Sequence, residues 1–345
     1  MGLRALVRSG WSRAPRALKQ AGYLGAVALF ALGFLSSRAA AQGCPGNITT
    51  NLTLTGNIAA TAGGQNPCIV IGASGLTVNL AGYTIDVSAL GDSGVAISNG
   101  TNSNTTIVGN GATIITDYTT SSAANTAAIE STGGTNLTIT GVTLENEPGG
   151  SLCGKTRTDE NWGNGISLDA VSGATISGNS ATCFQNGISV ANSSIARKAV
   201  GSISGNNLTY NNFDMVAAGQ AGIYSSGLVL SNSSGWTVSG NTIEYNGSYD
   251  LNYTCTSNVP NLISCAFGLQ IINNSTGNTI ESNTVNSNYI GGIYTGPNTS
   301  KNVIEENTAL NNLFDVWDDA PVHSNRWVKN TCSTIGGTLT TRACS

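Results

Sequence analysis

The chain has 345 residues, enough for two ordinary domains or for one elongated all-β domain. Only 9% are charged, against about 25% in ordinary globular chains, yet 40% are hydrophobic and Pro numbers just 7, which excludes charge-driven disorder and collagen-like structure. With 44 Gly and 40 Asn, a packed, turn-dense β protein is left.

The first segment reads as a separate device. Arg4, Arg8, Arg13, Arg16 and Lys19 precede an uncharged stretch over 21–37, followed by the small residues Ala39, Ala40 and Ala41. That order predicts a secretory signal peptide over 1–41, cleaved near Ala41. The other reading is an uncleaved anchor, although the stretch is at the short end of what spans a bilayer. Cys44 is preceded by Ala41, Gln42 and Gly43, without the Leu that usually opens a lipoprotein signal. Once 1–41 is removed, eight basic and 18 acidic residues remain, a net charge near −10. Bulk electrostatics then predict no affinity for nucleic acid or anionic membrane, and no integral span after cleavage. A secreted, periplasmic or cell-surface monomer is expected.

All eight Cys lie after residue 41, an even number in an exported chain, which favours disulfides over metal sites. Proximity suggests Cys44 with Cys68, Cys153 with Cys183, Cys255 with Cys265 and Cys332 with Cys344, among 105 possible connectivities. The chain divides into N-terminal coils with a disulfide staple over 42–92, repeats over 93–312, and a C-terminal coil and cap over 313–345.

The repeat sets the architecture. An apolar residue is followed three places on by Asn at Ile107/Asn110, Ile176/Asn179, Ile203/Asn206, Val238/Asn241, Ile280/Asn283 and Ile304/Asn307. A second Asn follows five residues after the first at 206/211, 241/246, 283/288 and 307/312. Next comes a Gly-apolar step: Gly165-Ile166, Gly187-Ile188, Gly222-Ile223, Gly268-Leu269 and Gly292-Ile293. Each unit holds three short apolar-polar alternations and no stretch long enough for an amphipathic helix, so it predicts three short strands. Asn and Gly tolerate positive φ and suit the corners. A unit this small buries its apolar face only by stacking, and stacked Asn side chains could exchange amide hydrogen bonds from coil to coil.

These phrases resemble the right-handed parallel β-helix repeats of the pectin-lyase-like superfamily, including the NosD-type periplasmic proteins, over residues 48–330. The opening, Leu52-Thr-Leu-Thr-Gly56, then Cys68-Ile-Val-Ile71 and residues 76–85, resembles the first coils of many exported members. The resemblance implies an all-β, single-stranded solenoid of roughly ten coils. It leaves function open among lyases, glycosidases, epimerases, adhesins and inactive members.

Two interruptions stretch the repeat, over 145–163 and 249–267. The first carries Glu145, Glu147, Lys155, Arg157, Asp159 and Glu160, with Trp162 beside them. One reading is a saccharide site: Lys155, Arg157, Asp159 and Glu160 catalyse, while Glu145, Glu147 and Trp162 hold substrate, with Ca²⁺ as cofactor if the protein is a lyase. The other is a solvated loop held by a Cys153–Cys183 bridge, with Trp162 covering the coil beneath. The second interruption, with Tyr249, Asp250 and Tyr253, reads as a stapled loop or an aromatic binding loop. A third cluster, Asp315, Asp318, Asp319, His323, Arg326 and Trp327, has the acids of a polygalacturonase but neither its Gly-His-Gly nor its Arg-x-Lys phrase. Adjacent Asp318 and Asp319 also point to opposite faces of a strand. Its other reading is a cap in which Trp317 and Trp327 cover the last coil. NosD-type proteins are linked to copper-site assembly, but one His and one Met after residue 41 are a poor copper ligand set. Three functions follow as expectations: polysaccharide binding, a polysaccharide lyase or glycoside hydrolase acting through the 145–162 loop, or a non-catalytic adhesin rod.

Overall fold

The alternation of apolar and polar residues, cut every few positions by Gly or Asn, gives strands too short to stand alone; each is stabilised by an identical neighbour one coil away. The computed structural model describes residues 41–147, 162–193, 201–211, 226–247 and 267–345. All ladders between its named strands are parallel, in an 11-stranded and a 15-stranded sheet. The 11-stranded sheet runs from Gly46–Ile48 to Ile335–Gly337, so successive strands delimit ten turns of chain. The 15-stranded sheet contains two strand rows, joined where Thr106–Thr116 and Thr138–Asn146 run through both. Three short strands per coil is therefore the rule, and in these two coils the second and third are fused.

Register produces continuous apolar rows inside. In the first sheet Ile69, Ile97, Ile129, Ile166, Ile188, Leu228, Leu269, Ile293, Val316 and Ile335 align coil upon coil. Spacing along this row runs from 19 residues between Val316 and Ile335 to 41 between Leu228 and Leu269. A second row aligns Ile107, Ile139, Ile176, Ile203, Val238, Ile280 and Ile304. All of these but Ile335 are fully buried, each contributing about 1.5–3 kcal/mol relative to exposure. The sequence places a Gly-apolar step at Gly222-Ile223, outside the described residues; the register partner of Ile188 is Leu228, preceded by Gly227.

Two long inner rows of Asn join the coils, beside a short third row of Asn278, Asn302 and Asn325. In the first, each Nδ2 donates to the next Oδ1 from Asn179 through Asn206, Asn241, Asn283 and Asn307 to Asn330, at 2.9–3.0 Å. The same Oδ1 atoms also accept the backbone N–H of the preceding Asn. The second hydrogen of Nδ2 goes back to a carbonyl one coil earlier, as from Asn206 to Ile176. The second row runs Asn211, Asn246, Asn288 and Asn312. Every amide is thereby satisfied in a buried position, the condition on which polar groups are tolerated inside.

The corners differ from the sequence expectation in one respect. The left-handed residue is the one before each row Asn: Gly178, Gly205, Gly240, Ser282, Glu306 and Lys329 in the first row, and Tyr210, Tyr245, Ser287 and Asn311 in the second. The row Asn are held at their corners by hydrogen bonds, whereas at other corners Asn itself takes positive φ, as at Asn104, Asn110, Asn136, Asn192, Asn232 and Asn273. Bulky residues such as Tyr245 accept a left-handed conformation costing about 1–2 kcal/mol.

At the C-terminal end the carboxylates close the structure. Asp315 Oδ1 accepts both the backbone N–H and Nδ2 of Asn312, and its Oδ2 accepts the N–H groups of Ser333 and Thr334. Asp318 faces inward and takes Thr295 Oγ1 and Trp327 Nε1; Asp319 faces outward and takes Trp317 Nε1 and Tyr294 Oη. The two adjacent acids thus serve opposite faces. Disulfides join Cys44 to Cys68 and Cys332 to Cys344. Cys183 is disulfide-bonded as well, while Cys153, Cys255 and Cys265 lie outside the described residues. The segment 1–40 also lies outside them, and no helix among the described residues is long and apolar enough to cross a membrane.

Candidate functional site

Strand alternation sends every second residue of the 11-stranded sheet outward, and register stacks these residues into a row: Ser98, Glu130, Ser167, Ser189, Val229, Gln270, Tyr294 and Trp317. The row changes character along its length. Toward the C-terminus it is aromatic, with Phe267 stacked on Tyr294 at 4.8 Å and Phe314 edge-on to Trp317 at 4.6 Å. Asp319 ties this cluster together through Trp317 and Tyr294.

Around Glu130, Ser167 and Ser189 the face is polar and opens into a groove of about 610 Å³. One wall carries Asn125, Asn164, Gln185 and Asn186; the other carries Asp169, Asn192, Ser231 and Asn273. The phrase Asn-Gly-Ile-Ser, at 164–167 and again at 186–189, builds much of it. Its Ile faces the core and its Ser faces out. Its Gly lies so close to the next coil that a Cβ on Gly165 would stand 2.6 Å from the Gly187 carbonyl oxygen. Asn186 Nδ2 donates to Asn164 Oδ1 at 2.9 Å, and Asn192 Nδ2 donates to Asp169 Oδ1 at 2.7 Å. Beneath the groove Tyr118 is fully buried, its hydroxyl bonded to the Gly94 carbonyl. Burial first, then the charges of Glu130 and Asp92, push that phenol well above its ordinary range.

The residues singled out in the sequence lie partly elsewhere. Glu145 ends a strand of the other sheet, in register between Ile115 and Thr182. Desolvation and the neighbouring Glu147 raise its carboxyl above the usual range. Trp162 is 2% exposed and belongs to the main core. None of these three lines the groove. Lys155, Arg157, Asp159 and Glu160 lie outside the described residues. The segment carrying them leaves the described chain at Glu147 and rejoins it at Trp162, two residues before Asn164 enters the groove wall. Glu130 and Asp169 are the groove acids that sequence reasoning missed. Their signal was position: Glu130 is in register with Ser167 of the outward row, and Asp169 sits two residues beyond Ser167 on the same strand. Among the described residues no three His, Cys, Asp or Glu side chains converge to hold a metal, so they present Ca²⁺ with no acidic cluster and copper with no ligand set.

A family model described as the right handed β-helix region matches residues 155–325. The chain has the fold of a right-handed β-helix. Two solved structures of the periplasmic alginate epimerase AlgG, a double and a single mutant, are similar to this β-helix at 10% identity, each with a TM-score of 0.47. The double mutant covers 85% of this chain and 70% of its own, the single mutant 83% and 69%. No curated protein matches the chain.

Proposed function

We propose that this β-helix acts outside the cytoplasm and binds polysaccharide along the groove of its 11-stranded sheet. The observation that carries the reading is the groove itself: an open polar channel crossing successive coils, with amides and hydroxyls repeated at equivalent places on stacked strands. A repeating array of such groups suits a polymer of repeating hydroxyl-bearing units. Disulfides at both ends of the fold support an oxidising compartment, as does the signal peptide read at 1–41 with cleavage near Ala41. We take the working form to be a monomer of 42–345, with staple, repeats and cap divided as the sequence suggests.

One observation favours an enzymatic second reading. The 145–162 segment, with Lys155, Arg157, Asp159 and Glu160, rejoins the described chain at Trp162, two residues before Asn164 of the groove wall. A polysaccharide lyase or glycoside hydrolase would place its acid, base or uronate-binding groups there. Incubation of the secreted protein with uronic and neutral polysaccharides, with and without Ca²⁺, separates the readings by product mass. Unsaturated fragments identify a lyase and hydrated fragments a hydrolase. Retention on a glycan without fragments supports binding alone, and neither result leaves a rod.

A further inference from the structure

We infer that the groove selects an uncharged polysaccharide over a uronate polymer; this rests on the groove being the glycan site. Its charge is the first reason. Glu130 and Asp169 are the charged groups among the described lining residues, with no Lys or Arg to offset them. The described ion pairs, Arg326 with Glu305 and Lys329 with Glu306, draw on residues outside the lining. A chain of sugar carboxylates entering this channel meets like charge at Glu130 between the walls and at Asp169 on one wall, whereas sugar hydroxyls meet acceptors.

Hydrogen-bond capacity is the second reason. The groove-wall amides begin a row like those inside the fold: Asn186 donates back to Asn164, and Asn164 donates back to the Thr126 carbonyl. The row then breaks, because the register partner of Asn186 in the next coil is Ser226. Asn186 is only 8% exposed, and its Oδ1 has no donor; the Ser226 hydroxyl is buried without a partner as well. The Glu130 carboxylate accepts no hydrogen bond from the described residues, and Asp169 uses only Oδ1, for Asn192. The sealed Asn186 and Ser226 groups are out of a ligand's reach, and the acceptors this face leaves open to one are the oxygens of Glu130 and Oδ2 of Asp169. Their complement is a ligand rich in O–H donors and without carboxylates of its own.

Affinity electrophoresis of the full secreted chain tests this in EDTA, at low and high salt, through gels containing mixed-linkage β-glucan, xylan, mannan, polygalacturonate or alginate. The expected result is retention by at least one neutral polymer, little affected by salt, and at least about tenfold weaker retention by either uronate. The isosteric pair E130Q/D169N, checked for fold by circular dichroism, is expected to weaken neutral binding about tenfold, since each substitution removes a charge-assisted acceptor. Preferential retention by a uronate in EDTA overturns the inference while leaving the groove as a glycan site. Unchanged neutral binding in E130Q/D169N overturns it too. Retention by no polymer overturns the underlying reading and this inference with it.

Discussion

Asn241 gives one amide hydrogen to Asn283 Oδ1 at 2.9 Å in the next coil, and that same oxygen also accepts the Asn241 backbone N–H at 3.0 Å. The second hydrogen returns to the Ile203 carbonyl, while Asn241 Oδ1 holds two donors from Asn206. Truncation at this rung leaves buried groups without partners on both sides. Asn241→Ala is expected to cost about 3–5 kcal/mol in urea unfolding. The exposed Asn207→Ala, outside the amide rows, is expected to stay within about 0.5 kcal/mol. Equal costs would show that the inner row does not hold the coils.

The Gly-apolar step has a related test. A Cβ on Gly268 would sit 2.5 Å from Asn288 Nδ2 and 2.7 Å from Val285 Cγ1, so Gly268→Ala collides with the second amide row. Overpacking of this kind costs about 1–3 kcal/mol. Gly240, at φ +61° with nothing within 4 Å, has only its left-handed conformation to lose, about 1 kcal/mol. Urea midpoints of the two variants should fall in that order.

Two carboxylates should titrate with opposite effects on stability. Desolvation and Glu147 raise the Glu145 carboxyl, so its contribution is present below about pH 4.3, the ordinary Glu value, and is lost as pH rises through the raised one. Glu145→Gln is therefore expected to raise Tm at pH 7 and not at pH 4. For Asp92, burial pushes upward, but hydrogen bonds from Thr120, Thr119 and Ser122 outweigh it and hold the carboxyl low. Its contribution is present above about pH 3.9 and is lost as pH falls through the lowered value. Asp92→Asn should lower Tm at pH 7, with the difference shrinking in stronger acid.

The C-terminal tail is held by covalent and polar ties together. Cys332 is bonded to Cys344, Asn330 Nδ2 donates to the Ala343 carbonyl, and the Ser345 N–H donates to the Asn330 carbonyl. The double substitution C332S/C344S opens a loop of 12 residues and is expected to cost about 2–3 kcal/mol. Hydrogen exchange at Ser345 should accelerate well beyond that at Ile203 in the middle of the stack. Uniform acceleration along the chain would mean instead that the tail and the coils unfold as one unit.

Much of this architecture is legible in the residues. Period-two apolar positions such as Ile176 and Ile203, and the five-residue interval from Asn241 to Asn246, contain the strand rows and both amide rows, because each depends on local spacing. The groove depends on lateral neighbours instead. Glu130 and Ser167 touch the same channel from 37 residues apart, and Ser189 and Val229 from 40, so variable turn lengths conceal the alignment. The same variability made Gly222 look like the next step when Gly227 fills it. The charge-rich stretch at 145–160 drew attention because charge is scarce; scarcity marks an unusual segment, not the face that a stacked row of Ser and Asn presents.

The inner amide rows also have a direction. Every side-chain bond in them points from one coil to the next, so each row ends at a donor that no further Asn receives. At Asn312 the ending is an acid: Asp315 turns one oxygen to the last amide and the other to the backbone of the final coil. A coil duplicated ahead of Asn312 would find a donor below it and an acceptor above it and could join the stack without altering either end. Beyond Asp315 this row takes no further amide, because both oxygens of the acid are engaged, while the first row runs on to Asn330. The length of the second row is thus written at one position, where an acid stands in place of an amide.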